Sequence, residues 1–204
     1  MNSVGVEALS PELIGSRPAP GALAVVQAFT NSVDLEAGID RMSDVDGFLG
    51  WLTDAGLIQS PAGFTEDDRC VAIELREGIR ELIRDRDGGR NDNADHRDAV
   101  PTVRPARFER AIDRLALAVT YREGAFGTTS TTLLGAALGP VVEALWMSFN
   151  NGTGVRLKVC ARDKCQWLFY DNSRNQASHW CTPDVCGSRE KARRAYARST
   201  GRNV

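Results

Sequence analysis

Four cysteines constrain this chain more than any other feature. They follow the pattern C-x4-C-x15-C-x4-C, from Cys160-Ala-Arg-Asp-Lys-Cys165 to Cys181-Thr-Pro-Asp-Val-Cys186. Two thiolates a few residues apart can turn both sulfurs toward one ion, and a second such pair closes a tetrahedral shell from across a hairpin. The spacing therefore predicts one zinc ion held by Cys160, Cys165, Cys181 and Cys186. Four protein ligands leave no coordination position open, so the ion is expected to be structural rather than catalytic. Two disulfides or free core thiols are the competing uses. Disulfides need an oxidising compartment, for which Met1–Pro20 carries no secretory signal. Core thiols have no reason to fall in two equal spacings beside Arg162, Asp163 and Lys164. A segment of about fifty residues folds poorly on burial alone, and metal binding is expected to supply much of its folding free energy.

Between the cysteine pairs, Gln166–Tyr170 has strand character and Asp171–Asn175 is turn-forming. Trp167, Phe169 and Trp180 are read as the small core of this segment, with stacking on nucleobases as the alternative. His179 is read as a non-ligand, because four cysteines already complete the shell. After Cys186 the residues Ser188–Arg198 form a basic helix with Ser188 as its N-cap. At 100° per residue Ala192, Ala195 and Tyr196 share an arc expected to pack on the metal core, and Arg189, Lys191, Arg193, Arg194 and Arg198 occupy the rest. Such a face fits phosphates or a major groove, and these five residues with Arg174 near the turn are the candidate DNA contacts.

The charge distribution points the same way. Net charge is −2, but residues 156–204 hold 11 Lys and Arg against 4 Asp and Glu, leaving 14 basic and 23 acidic residues elsewhere. An acidic body thus carries a basic tail, the distribution of a polyanion-binding module joined to a regulatory or oligomerising part. The longest charge-free run, 124–142, is rich in Gly, Thr and Ser, so no membrane span is expected and the protein is read as cytoplasmic and nucleoid-associated.

Upstream, residues 1–20 read as a flexible arm and 21–152 as a mostly helical domain, followed by the finger at 153–204. Gly21–Phe29 can start a helix. Asp44 lies in a cap position before the apolar series Val45, Phe48, Leu49 and Leu52, with Gly56 as the stop. Thr65 with Glu66, Asp67 and Asp68 opens a long helix carrying Val71, Leu75, Ile79, Leu82 and Ile83 and ending at Asp87-Gly88-Gly89. Arg90–Pro101 reads as an exposed loop, and Pro105–Leu117 as a further helix. Leu117–Tyr121 and Ala125–Thr131 suggest a hairpin. Val141, Val142, Leu145, Trp146 and Phe149 form another helical stripe, with Pro140 placed at its first turn. Cys70, among Val71, Ile73 and Leu75, reads as a core thiol, the alternative being a redox input. The fold class is mainly α with a small β-hairpin, an α+β chain ending in a treble-clef-like or ribbon-like finger.

At Cys160-Ala161, Cys165, Trp167-Leu168-Phe169, Ser173-Arg174-Asn175, Trp180-Cys181 and Cys186-Gly187 the chain resembles the CGNR zinc-finger family over residues 156–198. The Cys-Gly-Asn-Arg of that family reads Cys186-Gly187-Ser188-Arg189 here. Phe29-Thr30-Asn31-Ser32, Phe48–Leu52 and the Leu75–Ile83 helix resemble the ABATE domain that precedes this finger in stress-induced transcription regulators. The resemblance implies a two-part bacterial regulator with a mostly helical body and a DNA-binding finger. By analogy of architecture with the helical bodies of other bacterial regulators, the body is expected to form a homodimer or to bind a small-molecule ligand. A protein-interaction adaptor without direct nucleic-acid binding is the alternative. An enzyme is not expected: His96 and His179 have no partnered nucleophile, and no phosphate-binding Gly loop is present.

Overall fold

The computed structural model describes residues 15–88, 106–122 and 124–200. The exposed loop read over 90–101, most of the arm and Pro105 lie outside them. The described part is mainly helical, with three two-stranded antiparallel pairs, the α+β class expected. Its elements are α1 (Leu23–Thr30), β1 (Val33–Asp34), β2 (Ile39–Asp40), α2 (Val45–Asp54), α3 (Glu66–Gly88), α4 (Ala106–Leu115), β3 (Leu117–Arg122), β4 (Ala125–Ser130), α5 (Leu133–Asn150), β5 (Leu157–Val159), β6 (Leu168–Tyr170) and α6 (Ser188–Thr200).

Every residue of α1 is buried, which makes this short apolar helix the centre of the body rather than an amphipathic cover. It packs against α3, α5 and β6. Asp44 caps α2 by accepting from the Gly47 N–H at 2.8 Å, and Gly56 beyond its end takes a positive φ of 68°, the left-handed C-terminal stop that glycine adopts without steric cost. At the start of α3, Thr65 Oγ1 accepts from the Asp68 N–H (3.2 Å) and Asp68 Oδ2 accepts from the Thr65 N–H (2.8 Å). This reciprocal pair is a capping box with aspartate in the glutamate's place. The stripe read on α3 supplies buried Val71, Leu75, Ile79 and Ile83. Cys70 is exposed, not a core thiol. It lies one residue off the stripe and faces Glu66 on the preceding turn, with 3.7 Å between Sγ and Oε1.

The predicted hairpin is present, β3 pairing with β4 from Leu117↔Ser130 to Arg122↔Ala125. The helix after it begins earlier than the Pro140 reading requires. Thr132 is the cap, accepting from the Gly135 N–H, and Pro140 lies inside α5. The missing proline N–H costs the helix one hydrogen bond, but burial of Leu134, Leu138, Val141 and Leu145 outweighs that loss. Helix α5 is long and apolar enough by composition to cross a membrane. Its buried side chains, however, belong to the core it shares with α1, α2 and α3.

That core does not stop at the body. Leu157, Val159, Leu168 and Tyr170 of the β5–β6 pair belong to the same buried cluster as Phe29, Leu75, Leu138 and Leu145. The finger's hairpin is thus continuous with the body's apolar interior.

Two buried arginines on α3 hold the body's polar side. Arg76 donates to both oxygens of Asp40 (2.7 and 2.8 Å) and to Ser32 Oγ (3.2 Å). Arg80 donates to the Thr30 carbonyl (2.6 Å) and to the Gln166 carbonyl (3.2 Å), and Glu77 pairs with both. A guanidinium is retained in such surroundings only because its donors find acceptors in this way.

Candidate metal centre and basic helix

Antiparallel pairing of Leu157↔Tyr170, Lys158↔Phe169 and Val159↔Leu168 delivers Cys160 to the end of β5. The chain then turns tightly: the Cys165 N–H (2.8 Å) and the Gln166 N–H (3.2 Å) both donate to the Arg162 carbonyl, and the Cys160 N–H donates to the Trp167 carbonyl (2.8 Å). Gln166 adopts φ 53° to complete the turn, a left-handed conformation that costs a non-glycine residue roughly 1–2 kcal/mol. Arg80 and Arg84 of α3 hold it there, through its carbonyl and its side-chain oxygen.

The second pair of cysteines brackets a short π-helical turn, Pro183–Gly187, that runs directly into α6. The Thr182 carbonyl accepts from the N–H groups of Val185, Cys186 and Gly187, and Pro183 takes the first helical position, where no N–H is needed. Ser188, read as the N-cap, therefore has helical angles (φ −66°, ψ −42°) inside a continuous helix. Helix initiation falls to Thr182 and Pro183, so it does not depend on whether Ser or Asn stands at 188.

These two turns bring the four sulfurs together, all within 4.8 Å of one another. Cys165 and Cys181 are 3.6 Å apart, as are Cys181 and Cys186. A disulfide needs about 2.05 Å between sulfurs. Tetrahedral coordination at a Zn–S length of about 2.3 Å places sulfurs about 3.8 Å apart, close to the 3.6 Å separations. Backbone N–H groups of Cys181 and Arg162 approach the Cys160 sulfur, and that of Trp167 approaches Cys165. Donors of this kind stabilise thiolates. The thiols of Cys165 and Cys181 donate to Cys160 and push its pKa down to about 2, while the same contacts push Cys181 up to about 12 and Cys165 higher still. Four sulfurs converging this closely form a site for a soft cation, which binds them as thiolates when their protons leave.

Phe169 is buried against the cysteines, with Trp167 and Trp180 packed around them. The aromatic residues are the core of the segment, as expected. His179 is exposed and outside the sulfur cluster.

The basic helix is oriented differently from its apolar arc. Only Glu190 and Ala197 are buried on α6, whereas Ala192, Ala195 and Tyr196 are exposed, half a turn away. Cys186 sets the rotation: the helix must aim this residue at the sulfur cluster, and the small residues then turn outward. Among the candidate contacts, Arg193 and Arg194 converge on the Glu190 carboxylate at 2.5 and 3.1 Å, and Arg193 foremost holds that carboxyl below its usual pKa. Arg189 is drawn to Glu36 of the body at 2.7 Å. Lys191 and Arg198 are exposed on the helix. Arg174 is exposed on the 171–178 loop. Asp171 organises that loop by accepting from Ser173 and Ser178 N–H groups, both at 3.0 Å.

Sequence reasoning missed the residues that mount this segment on the body. Asn31 accepts from the Leu168 N–H (2.8 Å) and donates to the Leu168 carbonyl (3.0 Å), and Gln27 Nε2 donates to the same carbonyl (3.2 Å). Of the arm, residues 15–20 are described. The Arg17 carbonyl accepts from the Tyr170 N–H at 3.1 Å, its guanidinium lies over the Phe169 ring, and Ala19 is buried. The available signal was polar side chains at core spacing: Gln27 and Asn31 four apart at the end of an apolar run, and Arg76, Arg80 and Arg84 four apart on α3.

No curated protein matches this chain. Residues 156–199 match the family model described as CGNR zinc finger, and residues 15–148 match ABATE, described as "Putative stress-induced transcription regulator". With its sulfur cluster inside the first match and nearly two thirds of its length inside the second, the chain belongs to the ABATE family of regulators and ends in a CGNR zinc finger.

Proposed function

We propose that this protein is a transcription regulator that binds DNA through α6, using one structural zinc ion held by Cys160, Cys165, Cys181 and Cys186 to fix the helix in place. The observation that carries the reading is the exposure of α6. Of its 13 residues only two are buried, and Arg189, Lys191, Arg193, Arg194 and Arg198 all reach solvent. A helix anchored at one end and basic along its free faces has the dimensions and charge to enter a major groove, and Arg174 supplies a further cation. In this reading residues 153–204 are the finger and 21–152 the body, which serves as a dimerisation unit or ligand sensor. The protein then resides in the cytoplasm, associated with the nucleoid.

Two measurements test it. Metal analysis of the purified chain is expected to give one zinc per molecule. Binding to a labelled duplex at graded salt is expected to weaken as salt rises, and Arg193→Ala/Arg194→Ala to flatten the log–log slope by up to about 1.8, roughly 0.9 per phosphate contact. An unchanged slope in the double variant moves the interface elsewhere. No binding to duplex or single strands, with capture of an acidic protein partner, replaces the DNA reading with the adaptor.

A further inference from the structure

At the turn between β1 and β2 the acidic body reaches onto the basic finger with a carboxylate that meets two arginines at once. Glu36 sits at its tip. Asp34 Oδ1 accepts from the Glu36 and Ala37 N–H groups at 2.9 and 3.0 Å, and Gly38 takes φ 68° to reverse the chain. The turn is thus locally built rather than loosely draped. It delivers the Glu36 carboxylate between two arginines separated by 27 positions. Arg162 of the first cysteine turn donates from Nη1 to Oε2 at 2.5 Å and from Nη2 to Oε1 at 2.9 Å. Arg189 of α6 donates from Nη1 to the same Oε1 at 2.7 Å.

This donor set has the geometry of an oxyanion site. A guanidinium binding two oxygens side by side, with a second guanidinium on one of them, suits two oxygens of a phosphodiester as well as it suits a carboxylate. Lys164 adds a third positive charge close to the same carboxylate. The site is accessible: the side chains of Glu36 and Arg189 are 37% and 53% exposed, while Arg162 is held at 13%. A mostly buried inner arginine and an exposed outer one surround a ligand position that opens to solvent. Were the contact needed only to join body to finger, the shared core and the Asn31–Leu168 bonds already do so.

We propose that Arg162 and Arg189 form a phosphate-binding fork, and that Glu36 occupies it in the free protein as an internal phosphate mimic, so that the body competes with a nucleic-acid backbone for the finger. The ligand class is a phosphodiester oxyanion; its being nucleic acid rests on the DNA reading above. Arg162, outside the helix, becomes part of the interface. Docking of a backbone then requires the β1–β2 turn to release its carboxylate, which links the state of the body to the affinity of the finger.

The test uses the full chain with its metal. Anisotropy of a labelled random-sequence duplex is measured at graded salt for the wild type, Glu36→Gln and Glu36→Gln/Arg162→Gln, with melting temperature and zinc content confirming that each is folded. Glu36→Gln is expected to bind about ten-fold more tightly. Its log–log salt slope should steepen by about 0.9–1.8, one or two added phosphate contacts, and the added Arg162→Gln should abolish the gain. A salt-dependent wild type with Glu36→Gln equal or weaker overturns the mimic and leaves Glu36 a strut. If neither wild type nor Glu36→Gln binds duplex, the DNA reading falls, and inorganic pyrophosphate becomes the probe. A rise in the melting temperature of Glu36→Gln that Arg162→Gln removes then upholds the fork; no rise overturns it.

Discussion

Replacing Asn31 by alanine should detach the finger's inner strand from the body at one defined point. The Cys160 N–H donates to the Trp167 carbonyl, so Val159 and Leu168, paired opposite one another, form the non-hydrogen-bonded kind of antiparallel pair. The N–H and C=O of Leu168 therefore point away from β5. Asn31 satisfies both, at 2.8 and 3.0 Å, acting as a stand-in for a third strand along this edge. In Asn31→Ala the carbonyl keeps the Gln27 amide at 3.2 Å, but the buried N–H loses the acceptor that faces it. An orphaned donor costs roughly 1–3 kcal/mol, and about 2 kcal/mol is expected here. For a chain of this length that lowers Tm by about 4–8 °C. Urea denaturation of the zinc-loaded chain measures it. Combining Asn31→Ala with Gln27→Ala should cost more than the sum of the two, because the Leu168 carbonyl then loses both amides. A loss below about 0.5 kcal/mol for Asn31→Ala would refute the reasoning, since it would mean that water or a backbone shift satisfies the edge without the side chain.

Gly135 at the start of α5 leaves no room for a methyl group: a Cβ there would lie 2.0 Å from the Leu115 carbonyl oxygen and 2.2 Å from Ser130 Oγ. Gly135→Ala should destabilise by about 1–3 kcal/mol, read by thermal melting, and a neutral result would mean that the β4–α5 junction yields. Lys158, 4% exposed, donates to the Gln176 carbonyl at 2.6 Å and faces the fully buried Asp171 carboxylate at 3.3 Å. Lys158→Met should cost roughly 3–5 kcal/mol by stranding that carboxylate, with partial recovery in Lys158→Met/Asp171→Asn; no recovery would assign the cost to packing. Burial raises the Asp171 pKa, but the bonds from Ser173 and Ser178 outweigh it and leave the group below its ordinary 3.8. A carboxyl depressed on folding stabilises above its unfolded pKa, so this contribution is full above about pH 4 and fades as pH falls toward the folded value. Removing it in Asp171→Asn should flatten the acid limb of the stability–pH curve.

What was legible in the sequence is what short-range chemistry dictates. The cysteine spacing places four sulfurs in one cluster because each pair closes within its own turn. Caps at Asp44 and Thr65 announce α2 and α3 because their partners are three residues away. The rotation of α6 was not legible. Periodicity selects the arc of Ala192, Ala195 and Tyr196, but the helix is oriented by Cys186, and a metal-site residue overrides an alanine stripe worth little burial. Pro140 misplaced the start of α5 for a similar reason, since the burial of Leu134 and Leu138 lies across the proline from the stripe that was read. The mounting residues Asn31, Gln27, Arg80 and Glu36 escaped because their partners lie 86 to 153 positions away, at Gln166, Leu168 and Arg189, and nothing local marks a polar side chain as one half of a distant pair.

The continuity of the core makes the metal a matter for the whole chain. Alternate residues of β5 and β6 face two ways: Leu157, Val159, Leu168 and Tyr170 into the body, and Phe169 toward the cysteines. Stripping the ion would leave four crowded sulfurs to reacquire protons and spread apart, and the strands that flank Cys160 and Cys165 cannot move without disturbing the four side chains on the other face. Structural zinc in finger peptides binds with roughly 10–16 kcal/mol of apparent free energy, and an ordinary domain is stable by about 5–15 kcal/mol. Losing even a third of the former, about 3–5 kcal/mol, approaches the lower end of the latter. Chelation is therefore expected to lower the melting temperature of the entire chain within one cooperative calorimetric transition, with near-ultraviolet signals from the buried body residues Phe29 and Trp51 lost together with those of the finger. Two separated transitions, the upper one unmoved by chelator, would show instead that α1, α3 and α5 hold the body without the hairpin, and the finger would then be an appendage whose metal state the body does not sense.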